Sequence, residues 1–240
     1  MDKNQVANAI KQLREKSPKK NFSQSVDLVI NLQNLDLKKP EHKVDLYLQL
    51  PHPRGKKLKL CAFVDAQLAQ KAKGVFDNVV TKDEFAKWIN NKKEQKKLAN
   101  SNDFFVAQVE IMAQVAVTFG KVLGARGKMP NPKAGCVVPG SISNLEPIAN
   151  KLQNTVKLQT KNETSVKTSI GIESMKDEDL ADNVLAVYNT LLSKLPQEKN
   201  NIKYTAIKFT MGPIIKIGEQ VKQKKWIAIN PIFHNIRKMK

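Results

Sequence analysis

The sequence predicts a split α+β domain with an antiparallel sheet, into which an α/β domain with a parallel sheet is inserted. Three observations predict this fold class. Two early segments alternate apolar and polar residues, short strand-like runs then alternate with helical segments, and the alternating pattern returns after Asn154. Alternation with period two is typical of antiparallel strands that bury one face, whereas strands that alternate with helices are typical of parallel sheets.

The amino-terminal segment begins with a helix that Asp2 can cap, and its apolar side chains share one face. Two strands follow, SVDLVINL at Ser25–Leu32 and KVDLYLQL at Lys43–Leu50, each with apolar residues at every second position. Pro51 and Pro53 then break the pattern, and we interpret this proline-rich stretch as a hinge.

The middle segment alternates strands with helices. The predicted strands are KLKLCAFV, FDNVVT and DFFVAQ, and the predicted helices are DAQLAQKAKG, KDEFAKWIN, KKEQKKLAN and EIMAQVAVTFGKVL. A loop rich in glycine and proline leaves the last helix, and SNLEPIANKLQN returns the chain. This segment is the predicted insert.

The final segment resumes the first pattern with TVKLQT and VKTSIGI. A helix is predicted at Asp177–Leu195, with acids in its first turn, and the strand NIKYTAIKFT follows. The apolar residues of this helix form one stripe: Leu180, Val184, Val187, Tyr188, Leu191 and Leu195. The turn MGP then leads into IIKI. We expect residues 1–52 and 154–217 to form the split domain, residues 53–153 the insert, and residues 218–240 a basic tail. The tail is either an RNA-binding arm, a docking segment or a frayed terminus.

The charge is strongly unbalanced, with 41 Lys and Arg against 22 Asp and Glu, a net charge of +19 and a pI near 9.8. A polyanion is the simplest partner for such a field, and an anionic membrane surface is the alternative. No apolar run is long enough to span a membrane, and the amino terminus lacks a secretory core. Two distant cysteines, Cys61 and Cys136, fit a cytoplasmic protein without disulfides or zinc.

The loop GKVLGARGKMPNPKAGCVVPG, Gly120–Gly140, suggests a phosphate-binding loop but fails the spacing tests. Val122 stands where a Walker A glycine is needed, and Met129 replaces the hydroxyl residue after Gly127-Lys128. The dinucleotide fingerprint is also missing, since no strand enters the loop. Nucleotide binding is therefore not expected here.

Catalytic patterns are equally weak. His42 lies in a charged loop, His52 between prolines and His234 in the tail, and none has a serine or cysteine nucleophile nearby in sequence. We therefore expect no catalytic residue, no metal and no cofactor. Basic runs such as RGKKLK and NNKKEQKKLAN are spread over both domains, which supports contact with RNA phosphates. Since aromatic residues make up only 6%, recognition of RNA shape fits better than base stacking.

The stretch VLGARGKMPNPKAG closely resembles the signature of the L-one family of large-subunit ribosomal proteins, with Ala125 in place of the usual proline. Further stretches resemble the archaeal branch of that family, in the same order: KNFSQSVDLVINLQNLDLKKPE, LQLPHPRGK, KLANSNDFFVA, LQNTVKLQTK and NNIKYTAIKFTMGPIIKI. The resemblance covers about Met1–Ile217 and excludes the tail.

The resemblance implies a Rossmann-like insert and binding of large-subunit ribosomal RNA at the mobile stalk, which moves as deacylated transfer RNA leaves the exit site. It also implies binding of the protein's own messenger RNA as a translational repressor, a monomer outside the ribosome, and a location on cytoplasmic ribosomes. It implies no enzyme, no metal and no membrane contact. The alternatives are a basic α/β enzyme that acts on RNA or nucleotides, and peripheral membrane binding.

The resemblance also implies an RNA-binding site built from two distant segments of the split domain. Its residues are Lys20, Asn21, Phe22, Ser25, Thr210, Met211, Gly212 and Pro213. Glycine permits close approach to RNA, proline stiffens the turn, and the hydroxyls can bond 2′-hydroxyls or phosphates. The alternative for Phe22 is core packing.

Weaker candidates and departures from the family pattern complete the set. Gln159, Lys161 and Lys167 are weaker RNA-binding candidates on the neighbouring strands. Arg126, Lys128 and Lys133 are candidates for a secondary RNA contact or for shaping the cleft between domains. Ser25 replaces the threonine usual in the family, and Tyr204 replaces a small hydroxyl residue.

Overall fold

A computed structural model describes residues 1–218 except residues 19, 40, 41, 90, 143 and 161. The helices are α1 (Lys3–Lys16), α2 (Ala66–Lys73), α3 (Phe85–Ile89), α4 (Lys92–Ser101), α5 (Met112–Arg126), α6 (Glu146–Gln153) and α7 (Asp177–Leu192). The strands are β1 (Ser25–Leu32), β2 (Asp45–Gln49), β3 (Leu60–Val64), β4 (Asn78–Thr81), β5 (Phe104–Gln108), β6 (Val137–Val138), β7 (Thr155–Gln159), β8 (Ser165–Ile172), β9 (Ile202–Phe209) and β10 (Ile215–Lys216).

The antiparallel sheet combines both ends of the chain in the order β10-β9-β1-β8. Strand β1 is central and buries every second residue, as its sequence predicts. The apolar faces of α1 and α7 share one core with these side chains, including Ile10, Leu28 and Val184, each at most 1% exposed. The predicted α7 stripe is buried, although the helix ends at Leu192 rather than Leu195.

A separate two-stranded ribbon pairs β2 with β7. Leu158 on β7 is buried in the same core as the antiparallel sheet, while Tyr47 on β2 packs against the core of the parallel sheet. Side chains alternate along a strand, so the two faces of the ribbon point to different cores. The ribbon therefore joins the two sheets physically.

The parallel sheet has the order β4-β3-β5-β6 and is covered on both faces. Leu60, Ala62 and Val64 of β3 face the core that includes α2 and α6, whereas Cys61 and Phe63 face the core that includes α3, α4 and α5. All five are at most 1% exposed, as expected for a strand buried on both sides. The fold class predicted from sequence is confirmed.

Two connections join the insert to the split domain, and bonds hold them side by side. The backbone N–H of Leu50 donates to the carbonyl of Asn154 at 2.9 Å. The side chain of Gln153 bonds both the N–H and the carbonyl of Leu58, at 2.7 and 2.9 Å. The buried Asn183 accepts from the N–H of His52 at 3.0 Å. The boundaries at residues 52/53, 153/154 and 217/218 stay a prediction.

Strand β6 was not expected. It has only two residues and follows the left-handed Gly135, so it is too short to show periodicity in the sequence. Its position is set by pairing with β5 at Ala107 and Gln108. The chain from α5 to β6 is consequently a structured crossover and not an open loop.

Candidate RNA interface

Two segments far apart in sequence meet at one end of the antiparallel sheet. Val26 of β1 pairs with Phe209 of β9, which places Ser25 beside Thr210. The N–H of Ser25 donates to Oγ1 of Thr210 at 3.1 Å, and the N–H of Thr210 donates to the carbonyl of Ser25 at 3.1 Å. The two hydroxyls are 2.9 Å apart. We call the surface formed by residues 20–22, Ser25 and residues 210–213 the strand-end face.

The buried side chain of Gln24 supports the turn that follows β9. It is 1% exposed, and its Oε1 accepts from the N–H of Met211 at 3.3 Å. Its own backbone carbonyl accepts from the N–H of Glu173 at 2.8 Å. Sequence reasoning missed Gln24, yet a signal exists. It lies in phase with the buried positions of β1 and is a polar residue at a core position.

Gly212 lets the turn lie close to the end of α1. A Cβ at this position would be 2.9 Å from Oγ of Ser17 and 3.1 Å from Cβ of Phe209. The Gly212 N–H donates to the carbonyl of Phe209 at 3.1 Å, which closes the turn. A side chain here would force Ser17 or Phe209 to shift, and the turn is held in place before any ligand arrives.

The strand-end face exposes large apolar side chains. Phe22 is 47% exposed and Met211 is 64% exposed, so Phe22 does not pack into the core. Ile214, which directly follows the strand-end face and which the sequence did not single out, is a further exposed apolar side chain at 61%. Lys20 and Asn21 are exposed beside them, and Lys20 has no carboxylate within 4.0 Å in the part of the chain that the structure describes. Apolar, hydroxyl and cationic groups are therefore brought together.

The loop between β8 and α7 borders this region and is fixed by Arg14. Its guanidinium donates to Oδ1 of Asp177 at 2.8 Å and to the carbonyls of Glu173 and Met175, both at 2.7 Å. These bonds anchor the loop whose Glu173 is bonded to Gln24. The Glu173 carboxylate accepts from the Gln24 amide, and the Glu173 N–H donates to the Gln24 carbonyl. Arg14 is a supporting residue that sequence reasoning did not find, because its partners lie about 160 positions away.

The weaker candidates lie elsewhere. Lys167 of β8 pairs with Val29 of β1. Val29 lies four residues after Ser25, so Lys167 is roughly 13 Å along the sheet from the strand-end face. Its ammonium bonds Oε2 of Glu163 at 2.6 Å. Gln159 and Lys167 line a cleft of about 290 Å³ between the ribbon and the α5–β6 connection. Lys161 lies outside the described residues.

The three secondary candidates are placed in or near the α5–β6 connection. The Lys128 ammonium donates to the carbonyls of Ala99 and Asn102 at 2.9 and 2.6 Å, and burial lowers its pKa. Arg126 donates from Nε to Oδ1 of Asn100 at 3.0 Å. Lys133 is exposed on a short 3-10 turn.

The connection is also tied to the ribbon. Gly127 ends α5 in the left-handed conformation, with φ of 65°, and its carbonyl accepts from the Lys157 ammonium at 3.3 Å. A Cβ on Gly127 would be 3.6 Å from that ammonium and 3.9 Å from Oε1 of Gln159. The glycine-rich stretch thus connects the insert to the ribbon.

The two histidines that the structure describes contact backbone or carboxylate groups. His42 accepts the N–H of Asp36 at 3.0 Å, and the His52 ring nitrogens lie 3.7 and 3.6 Å from Asp179 and Asp182. His234 lies outside the described residues. Over the described residues no cluster of three or more metal-ligating side chains occurs, and every helix there is too short or too polar to span a bilayer.

The carboxyl edge of the parallel sheet is where α/β folds usually bind ligands. Here the buried side chain of Gln108 fills the edge between β3 and β5. Its Oε1 accepts from the N–H of Asp65 at 3.0 Å, and its Nε2 donates to Glu110 at 2.6 Å. A Cβ on Gly140 would lie 2.6 Å from both side chains. Hydrogen-bonded side chains and the backbone of Gly140 therefore fill this edge.

These features define a strongly basic, split α/β protein whose antiparallel sheet ends in an exposed face of apolar, hydroxyl and cationic groups. Comparison with known families places it more narrowly: the model of the ribosomal protein L1p/L10e family matches residues 13–213. The chain belongs to this family. It is therefore a member of a structural, non-enzymatic family of ribosomal proteins.

Curated relatives support the same family. The chain is 44% identical to the large ribosomal subunit protein uL1 of Methanothermobacter thermautotrophicus, over 89% of this chain and 98% of that protein. It is 37% identical to the protein of the same name from Pyrococcus abyssi, over 90% and 96%. Identity to the Thermoplasma volcanium protein of that name is 34%, over 91% and 98%.

Proposed function

We propose that this protein is a structural constituent of the large ribosomal subunit and binds large-subunit ribosomal RNA at the mobile stalk. Family membership and the net charge of +19 support the proposal. The ribosome in the cytoplasm is then its location, and the chain is a monomer outside it. No cofactor or metal enters this function.

The observation that carries the proposal is the hydroxyl pair of Ser25 and Thr210 between exposed apolar side chains. The pair is fixed by backbone bonds on both sides, so little conformational entropy is lost when RNA binds. Oγ of Ser25 keeps acceptor capacity beyond the bond that the two hydroxyls share and can bond a 2′-hydroxyl. Oγ1 of Thr210 already accepts the Ser25 N–H, so it keeps one lone pair for RNA when it donates to Ser25. Phe22 and Met211 can contact sugars or base faces at either side.

The turn determines how closely RNA can approach. Gly212 presents backbone without a side chain, and Pro213 keeps the turn stiff. Lys20 and Asn21 supply a charge and an amide for phosphate oxygens. These eight residues of the strand-end face are the proposed primary site. Gln159, Lys161 and Lys167 are proposed as peripheral contacts on the side of the cleft.

Arg126, Lys128 and Lys133 are proposed as a secondary site with unequal parts. The Lys128 ammonium already bonds two carbonyls within the insert, and the residue lines the cleft beside the ribbon, so we assign it to shaping that cleft. Lys133 has no bond from its ammonium to any described residue and can reach RNA freely. Arg126 keeps donors beyond its bond to Asn100.

Two finer roles belong to the same proposal. We propose that the stalk complex takes part in release of deacylated transfer RNA from the exit site. The protein contacts that transfer RNA only transiently. We also propose that the strand-end face binds a similar structure in the protein's own messenger RNA and represses translation. Both follow from the resemblance to family members. Added messenger leader should compete with ribosomal RNA for one site, and independent binding of both RNAs would contradict this.

The test of the main proposal is sedimentation of ribosomes from cells that express the tagged full chain. The protein should remain on the large subunit through a wash at high salt, because apolar and hydroxyl contacts persist when phosphate contacts are screened. A protein found only in the free pool would contradict the proposal. A Met211→Asp chain expressed in parallel should be released at lower salt.

A further inference from the structure

A second basic feature lies where the chain passes between the two domains. A cavity of about 470 Å³ is lined by residues 53–57 of the first connection, by the end of α2, and by α6 with Asn154 of the second connection. We call it the hinge cavity. It shares no residue with the strand-end face, and the proposed primary site does not use it.

Cations dominate the lining. Arg54, Lys56 and Lys57 all face the cavity, and Glu146 is the acidic side chain among the described residues that line it. In the described part of the chain, none of the three cations has a carboxylate within 4.0 Å. Unpaired cations in a concave surface concentrate positive potential and attract anions.

Arg54 is the most unusual of these groups. Its Nε is buried and has no hydrogen-bond partner in the described chain. Burial lowers the pKa of the guanidinium, while the more distant Asp103 raises it. A buried donor without a partner is costly to maintain. The half-buried Arg54 side chain also lines the cavity, so its guanidinium is placed to bond an anion there.

Close packing and hydrogen bonds hold the walls of the cavity. Gly55 has φ of 75°, and a Cβ there would lie 2.6 Å from Cγ1 and Cδ1 of Ile172, so only glycine allows the connection to lie against β8. Gln153 holds the opposite wall to Leu58 through two bonds. The cations are thereby presented on a fixed frame that lowers the ordering cost of binding.

Other basic runs lack this arrangement. Lys92, Lys93, Lys96 and Lys97 are exposed along α4 and project from a convex helix. They resemble the hinge residues in charge but enclose no volume with a buried, unpartnered donor. This difference supplies a matched control for charge alone.

We propose that the hinge cavity is a phosphate-binding site in which Arg54, Lys56 and Lys57 hold a phosphate group, either a phosphodiester of RNA or a free phosphate anion. Arg54 forms directional bonds through its planar donors, and the two lysines add charge at the rim. The amide of Asn150 lines the same cavity and can donate another bond. The occupant would contact both connections between the domains.

The first arm of the test needs no RNA. Sodium phosphate is titrated into the ¹⁵N-labelled full chain, with sodium chloride holding the ionic strength constant. Amides of Gly55, Lys56 and Gly74 should shift in a saturable way. Arg54→Gln and the double variant Lys56→Ala/Lys57→Ala should lose the saturable shifts, while Lys96→Ala/Lys97→Ala should keep them. The double variant removes only exposed side chains, so it remains informative if Arg54→Gln fails to fold.

The second arm identifies the source of the phosphate and rests on the proposed function. If RNA supplies it, Lys56→Ala/Lys57→Ala should weaken binding to a stalk RNA fragment about tenfold, against less than twofold for Lys96→Ala/Lys97→Ala. If RNA affinity is unchanged but phosphate still binds, the source is free phosphate.

Absence of saturable shifts, together with equal RNA affinity of the hinge and control variants, would overturn the site. A wild-type chain that binds no stalk RNA but shows the saturable shifts would instead contradict the proposed function and support the site.

Discussion

The strand-end face and the glycine-rich α5–β6 connection both contain glycine, proline and lysine. The groups of the connection are bonded within the protein, whereas those of the strand-end face are exposed. In the connection, the Lys128 ammonium donates to two carbonyls, and the Gly127 carbonyl accepts from Lys157 of the ribbon. In the strand-end face, Phe22 and Met211 are exposed and Lys20 faces solvent. The difference teaches that a distinctive motif can identify a family by its structural demands, while plainer residues remain available to a ligand.

The largest expected effect comes from separating the two regions. The insert, residues 53–153, should fold alone and show no detectable binding to stalk RNA. The split domain should bind when a short glycine–serine linker joins residues 52 and 154, because Leu50 and Asn154 are hydrogen-bonded neighbours. Fluorescence anisotropy with a labelled stalk fragment measures both. RNA binding by the isolated insert at wild-type affinity would reverse the comparison, and failure of the insert to fold would contradict the predicted boundaries.

Lys128→Met tests whether the connection is structural. Two carbonyls near the end of α4 would lose their donor, so the free energy of unfolding should fall by about 2 kcal/mol. RNA affinity of the folded protein should stay within about twofold of wild type. Urea unfolding and anisotropy give the two values. Lys133→Met is the matched control and should leave stability nearly unchanged, since its ammonium bonds no described residue. A stable Lys128→Met with poor RNA affinity would assign Lys128 to RNA.

Thr210→Val tests the hydroxyl pair. It removes the acceptor for the Ser25 N–H and the group offered to RNA, and should weaken RNA binding by about 1–3 kcal/mol. Thr164→Val is the control, because Thr164 is exposed near the other end of the sheet beside Ser165. Anisotropy titrations compare the two variants. Equal losses would show that the effect is not local to the strand-end face.

Lys20→Ala should have the smallest effect, visible mainly in the salt dependence. Wild-type affinity should fall steeply with added salt, and each phosphate contact contributes roughly 0.7–0.9 to the logarithmic slope. Lys20→Ala should reduce the slope by about one contact, whereas Lys93→Ala on α4 should not. A flat salt response of the wild type would contradict phosphate contact as a major contribution.

Much of the fold could be predicted because its periods are long and clear. The bounds of β1 agree with the sequence pattern, and the buried stripe of α7 was identified residue by residue. The pairing of β2 with β7 could not be predicted, since alternation fixes which side of a strand is buried but not its partner. Strand β6 is too short to carry a pattern.

The resemblance supplied the residues proposed for the site, but the contacts among them could not be predicted from the sequence. The resemblance supplied Ser25 and Thr210, and the structure shows them bonded across 185 positions. Gln24 could have been found from its phase with β1. The carbonyl partners of Lys128 could not, because a lysine in a basic loop carries no sequence signal for acceptors 26 and 29 positions away.

The most direct measurement compares the stalk RNA affinity of Met211→Asp with that of Val117→Asp in the full chain. Both replace an exposed apolar side chain, 64% and 83% exposed, by the same acid, so the net charge changes equally. Met211→Asp should weaken binding at least about tenfold through lost contact and local repulsion of phosphate, and Val117→Asp less than about twofold. Equal affinities of the two variants would contradict the assignment of RNA binding to the strand-end face.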